Sequence, residues 1–187
     1  DQERALIPSG CACLLRKQML LELSGFDPDF FAYTEDTDLG IRAYLKGWEC
    51  LFEPKAIVYH RYSKTAAFKT GYSSLKLYLV ERNRLWILFR YYPVYLILAS
   101  PITSLIRLIF QALQAVSSKG QASTLAPFSG FLALPLAGFK AFFDAFLSLP
   151  KQLKWRKQWL SKKPAKSALF RVIFDHFIPL KQISRLD

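Results

Sequence analysis

Up to about residue 75 the chain breaks into short apolar runs separated by turn signals. Beyond that point, long apolar stretches alternate with basic clusters. Residues 1–9 read as an extended lead-in ending at Pro8. Gly10–Leu15, GCACLL, is an apolar run of strand length whose small residues suit a buried strand with something packed close against it. Arg16–Leu23 has helical spacing, with Met19, Leu20 and Leu23 on one face and Gly25 where a C-terminal cap belongs. A helix opening after Thr34 is expected to run to about Lys46. Leu39 and Ala43 lie on one side, Ile41, Tyr44 and Leu45 lie around its buried face, and Gly47 ends it. Trp48–Phe52 is predicted as a strand broken by Pro54. Ala56–Tyr62, AIVYHRY, is a second, in which alternation turns His60 to the same face as Ala56 and Val58. Strands interleaved with helices indicate part of an α/β sheet layer. With so few strands, residues 1–75 make a thin core and read as the end of a larger sheet.

The spacing predicts a helix over 72–89, with Leu75, Leu79, Arg82 and Trp86 along one face and the tetrad Glu81-Arg82-Asn83-Arg84 inside it. Residues 91–116 are largely apolar, and long enough to span a bilayer, which takes about 20 such residues. Against a span, Pro101 invites a break, and Arg107 would cost about 2.5–3.5 kcal/mol at a membrane centre. A helix lying in the interface or buried in a hairpin is the favoured expectation. A polar linker over 117–124 precedes a second apolar stretch, 127–150. Then 151–163, KQLKWRKQWLSKK, interleaves cations with Leu153, Trp155, Trp159 and Leu160, a mixture suited to lipid headgroups. A short amphipathic helix is expected over 170–180.

Charge sharpens this division. The 187 residues carry a formal net charge of +12. Residues 1–75 hold nine Lys/Arg against ten Asp/Glu, and residues 76–187 hold seventeen against four. Two units follow: 1–75, near neutral, and 76–187, a basic, apolar, helical tail. Cations laid among apolar runs favour an anionic membrane surface over nucleic acid, for which there is no reading motif. The three cysteines, Cys11, Cys13 and Cys50, cannot all pair. Without further ligands they do not make a zinc site, which indicates a reducing, cytoplasmic setting.

The chemistry concentrates in Gly25–Arg42, GFDPDFFAYTEDTDLGIR. Turn residues lead into an aromatic cluster and then a Glu35-Asp36 pair at a helix start. Thr34 as N-cap, with an acidic first turn behind it, is ordinary helix electrostatics. A carboxylate between apolar neighbours, which raise its pKa, and a helix N-terminus, which lowers it, is also a candidate general base.

GFDPDFFAYTEDTDLGIRAYLKGW followed by EPKAIVYH resembles the C-terminal part of the GT-A (Rossmann-like) catalytic domain of family 2 glycosyltransferases, rhamnosyltransferase-like members in particular. Gly10 with CACLLRK is similar to that family's small-residue strand, and ERNR also occurs in such proteins. The likeness covers about residues 9–90. It implies an enzyme that transfers a sugar from a nucleotide-sugar donor to a glycan or lipid-linked acceptor with inversion, at the cytoplasmic face of a bacterial inner membrane. Asp36 matches the general base, and Glu35 would lie in the acceptor site or tune Asp36. Trp48 and Asp38 match acceptor-side, packing and helix-positioning members. His60 matches a metal ligand of some relatives, so a divalent ion, Mg²⁺ or Mn²⁺, is expected for the full-length enzyme.

The family's nucleotide-binding half, with its Asp-x-Asp motif, has no counterpart in these residues. Asp27-Pro28-Asp29 and Asp36-Thr37-Asp38 both fall in the acceptor-side motif, so no donor-binding residue is assigned. The chain is therefore expected to be a C-terminal fragment, inactive by itself. The alternative from another class is a non-catalytic membrane-binding module that keeps the acidic loop as structure.

Overall fold

The computed structural model describes residues 3–60, 74–116, 130–161 and 169–170. Within them the chain is mostly helical. Strand β1 (Glu3–Ala5) is followed by α1 (Lys17–Leu23), one turn of 3-10 helix (Pro28–Phe30), α2 (Glu35–Leu45) and strand β2 (Cys50–Phe52). Four longer helices come next: α3 (Ser74–Tyr91), α4 (Val94–Val116), α5 (Gly130–Leu147) and α6 (Leu149–Leu160).

The sheet departs most from expectation. Among the described residues it is two-stranded and antiparallel, with Glu3 opposite Phe52 and Ala5 opposite Cys50. Its first strand comes from the lead-in, and the GCACLL run is turn and irregular chain, with Cys11 and Cys13 exposed rather than packed as small core residues. Residues 56–60 form no strand either, and Ile57, Val58 and Tyr59 are exposed. An apolar run becomes a strand only where a neighbour takes its backbone groups and covers a face, and among the described residues neither run has such a neighbour. The three thiols are unpaired, and burial pushes those of Cys13 and Cys50 up, away from the reactive thiolate.

The helices follow the periodicity more closely. α1 ends with Ser24 and Gly25 both left-handed, and the Gly25 N–H returns to the Leu20 carbonyl at 2.7 Å. α2 ends before Gly47, which has φ +85°. Pro93 separates α3 from α4, its carbonyl accepting from the Leu96 and Ile97 amides. Pro101 does not break α4, which continues through it: the ring sits at an exposed position, and a missing N–H removes only one ladder bond. Gly40 is required by close approach, since a Cβ there would meet Pro8 Cδ at 2.8 Å and the Leu6 carbonyl oxygen at 3.1 Å. The expected linker over 117–124 and the helix from 171 onward lie outside the described residues.

α3 is the spine. It packs most extensively on α5, then on α6. Its Leu85, Trp86, Ile87, Phe89 and Tyr91 form one core with Phe30, Ile41, Ala145 and Leu160. Residues on both sides of position 75 thus share that core, each large side chain contributing about 1.5–3 kcal/mol by leaving water. A second cluster joins α1 to α2 through Met19, Leu23, Leu39 and Ala43, with Trp48 and Trp159 against it.

α4 is inverted relative to a soluble surface helix. Ser100 and Ser104 are buried, and Arg107 pairs back to Glu81 of α3 at 3.0 Å. Leu98, Ile102, Leu105, Ile106 and Ile109 face outward, Ile102 being 65% exposed. No helix among the described residues is long and apolar enough to cross a membrane.

Candidate functional site

The Glu35–Asp36 pair sits at the first turn of α2, as expected, but the cap is built differently. Thr34 is left-handed at φ +62°, and its hydroxyl makes no capping bond. Asp36 serves instead: its Oδ1 accepts from the Thr37 N–H at 2.7 Å, and its Oδ2 accepts from the Gly10 N–H at 3.0 Å. Gly10 is needed for that approach, since a Cβ there would lie 3.1 Å from Oδ2. Asp36 is half-buried, and among the described residues no cation pairs with it. A carboxylate oxygen has two lone pairs, so Oδ2 retains one for a further donor.

Glu35 differs from its neighbour. Burial, reinforced by the Asp36 charge and opposed by a backbone hydrogen bond, pushes its pKa above the ordinary 4.5. Glu35 Oε2 and Thr34 Oγ1 are both buried without a hydrogen-bond partner among the described residues. Two adjacent orphaned polar atoms beside a half-exposed carboxylate mark a place where a ligand hydroxyl would find partners.

The loop leading into α2 is strained. Phe31, Tyr33 and Thr34 all have positive φ, at +63°, +69° and +62°. Non-glycine residues held there cost about 1–3 kcal/mol each and persist only when surrounding structure imposes them. The imposing groups are on α3. Asn83, fully buried, donates through Nδ2 to the carbonyls of Phe30, Ala32 and Tyr33 at 3.0, 2.7 and 2.8 Å. Arg82 donates to the Asp29 and Phe30 carbonyls.

Asp38 has no exposed surface and no oxygen to offer an acceptor sugar. Its Oδ2 accepts from Arg42 Nε at 2.7 Å. Its Oδ1 accepts from Arg90 Nη1 at 2.8 Å and from the Tyr91 hydroxyl at 2.7 Å. Burial, then the Asp38 charge, pushes the Tyr91 hydroxyl well above 10, which keeps it a neutral donor. Arg42 also caps α1, donating to the Leu23 and Gly25 carbonyls. Arg90 reaches Gln152 Oε1 of α6 at 2.6 Å and lies over the rings of Phe30 and Trp155. Its Nη2 is 2.8 Å from Asp27 Oδ2, an ion pair without the angle of a hydrogen bond. Two carboxylates thus balance two guanidiniums inside the domain, the arrangement that makes buried charge tolerable.

Trp48 is half-buried and donates to Glu22 at 3.0 Å, tying the end of α2 to α1. His60 is exposed on irregular chain. Among the described residues, no group of three His, Cys, Asp or Glu could hold a metal ion. His60 would supply a single ligand to the Mg²⁺ or Mn²⁺ expected of the full-length enzyme. Sequence reasoning missed Arg90, gave Arg42 no role of its own, and took Asn83, which is fully buried, for helix surface. The four-residue spacing of Asp38 and Arg42 signalled Arg42, and an Asn between Glu81 and Leu85 in a buried helix could have signalled Asn83.

The family model described as glycosyl transferase family group 2 matches residues 3–147. The chain belongs to this family. The family's match takes in the acidic loop, α3, α4 and all of α5. The chain is also 30% identical over 84 residues to an N-acetylglucosaminyl-diphospho-decaprenol L-rhamnosyltransferase, found in two strains of Mycobacterium tuberculosis. That alignment covers 42% of this chain and 27% of the relative, so the chain spans well under half of it. No solved structure matches.

Proposed function

We propose that this family 2 chain supplies the acceptor side of a glycosyltransferase that moves a sugar from a nucleotide-sugar donor to a glycan or lipid-linked acceptor, with Asp36 as general base. Asp36 takes the proton of the acceptor hydroxyl. The oxygen bonds to the anomeric carbon as the bond from that carbon to the donor's diphosphate breaks, so the nucleotide leaves with its electrons and the configuration inverts. The observation that carries this reading is the half-exposed Asp36 carboxylate, free of any cation among the described residues, beside the orphaned Glu35 Oε2. Glu35 Oε2, buried and without a hydrogen-bond partner among the described residues, suits a polar contact with the acceptor. The rhamnosyltransferase relative makes an L-rhamnosyl donor and a polyprenyl-diphosphate-linked sugar the first substrates to try.

Asp36→Asn in the complete gene product should abolish turnover while leaving donor binding intact. Product anomeric configuration, read by NMR, tests inversion. Wild-type turnover in that variant would refute the base assignment.

The outward apolar stripe of α4 supports seating on a membrane, with Arg107 drawn inward by Glu81 instead of meeting lipid, and a nucleotide-sugar donor would place that seat at the cytoplasmic face of a bacterial inner membrane. Lys154 and Lys157 of α6 supply positive charge for anionic headgroups. The protein should float with vesicles containing anionic lipid, and Leu98→Asp with Ile102→Asp should release it. Failure to float removes the membrane reading. Flotation with no transfer to any acceptor would favour the non-catalytic module.

A further inference from the structure

We infer that Asn83, oriented by Arg82, is a positioning residue for the carboxylate pair: it holds the strained loop 31–34 in the one conformation that presents Glu35 and Asp36. This rests on the transfer reading above and adds a residue to it. The amide orientation is dictated by its neighbours. Arg82 Nε and Nη2, donors only, point at Asn83 Oδ1 at 3.0 and 2.8 Å, and three backbone carbonyls, acceptors only, face Nδ2. Arg82 is itself fixed, its guanidinium lying over Trp86 at 4.4 Å and Tyr78 at 5.3 Å. A chain of contacts therefore runs from the rigid face of α3 through Arg82 and Asn83 to the carbonyls of Phe30, Ala32 and Tyr33. The next residues are Thr34 at φ +62°, then Glu35 and Asp36. Relaxing φ at 31, 33 or 34 would swing the first turn of α2, and the carboxylates with it.

Asn83→Asp tests this without changing shape: it turns the donor edge into oxygen facing three carbonyl oxygens. Leu79→Ala, a buried apolar loss on the same helix, controls for general destabilisation. In the complete gene product, Asn83→Asp should lower kcat by about 100-fold, as a displacement near 1 Å does, with donor KM changed less than about threefold. Leu79→Ala should lower the melting temperature but keep kcat within about threefold. Amide hydrogen exchange over 31–36 should accelerate in Asn83→Asp and not in Leu79→Ala. If Asn83→Asp keeps wild-type kcat while Asp36→Asn abolishes it, the positioning role is wrong and the base stands. If Asp36→Asn retains turnover, the base assignment falls, and exchange over 31–36 alone decides the positioning role: unchanged exchange in Asn83→Asp overturns it.

Discussion

Asp38→Asn removes one charge from the buried cluster and almost no volume, so its effect is electrostatic. The Asn oxygen can still accept from Arg90 and Tyr91, but its NH₂ then points at Arg42 Nε, donor against donor, where a 2.7 Å ion pair stood. Two guanidiniums would share the single charge of Asp27, with Arg42 and Asp38 both sealed from water. Breaking one partner of a buried pair costs about 3–5 kcal/mol. Domains are stable by about 5–15 kcal/mol in total, so the loss is a large share. At about 2–4 °C per kcal/mol for a chain of this size, the melting temperature should fall by about 6–20 °C. Thermal and urea unfolding followed by far-ultraviolet circular dichroism measures both. The Tyr91 hydroxyl should also ionise at lower pH in the variant, because one of the causes raising it is gone. A loss under about 1 kcal/mol, the worth of an exposed pair, would mean that the guanidiniums reach water or other partners, and the cluster would not be the closed unit described.

Further outcomes follow from single contacts. Gly40→Ala should destabilise by about 1–3 kcal/mol in urea unfolding, because its Cβ meets Pro8 and the Leu6 backbone, and that overpacking outweighs the gain of about 1 kcal/mol in helix propensity. Glu35→Gln should change how stability varies with pH. The raised pKa means the folded state binds the Glu35 proton more tightly than the unfolded chain, so stability from this group is present at low pH and declines as pH rises from 4.5 through the raised value. The Gln variant should lose that decline and be the more stable of the two at neutral pH, read from urea midpoints across the acid-to-neutral range.

The sequence was most legible where local chemistry decides structure. Helix positions for α1, α2 and α3, the stop at Gly47 and the left-handed exit at Gly25 all follow from periodicity and turn residues. Strands were misread because a strand is a property of its partner: GCACLL has the composition of one, and the residues that do pair with β2 are Glu3–Ala5. The acidic loop was legible as the start of a helix, but its cap was not. Thr34 has the right side chain for capping and the wrong backbone, imposed from Asn83 across 49 positions of sequence. Asp38 read as an acceptor-side, packing and helix-positioning residue, and the arrival of Arg90 and Tyr91 from α3 leaves it a buried structural group with no acceptor contact to offer. Long-range contacts of this sort leave little trace in composition.

The seal over the Asp38 cluster is supplied late in synthesis. Arg90 meets Gln152, and Tyr91 meets Trp155, at sequence separations of 62 and 64. A nascent polypeptide emerging from the ribosome can form α1, α2 and the Asp38–Arg42 pair early, yet these stay open to solvent until α6 has been translated. A stop codon falling ahead of Gln152 would therefore damage a region more than a hundred residues upstream, leaving Arg90 without its final ligand and the aromatic cover of Trp155 unmade.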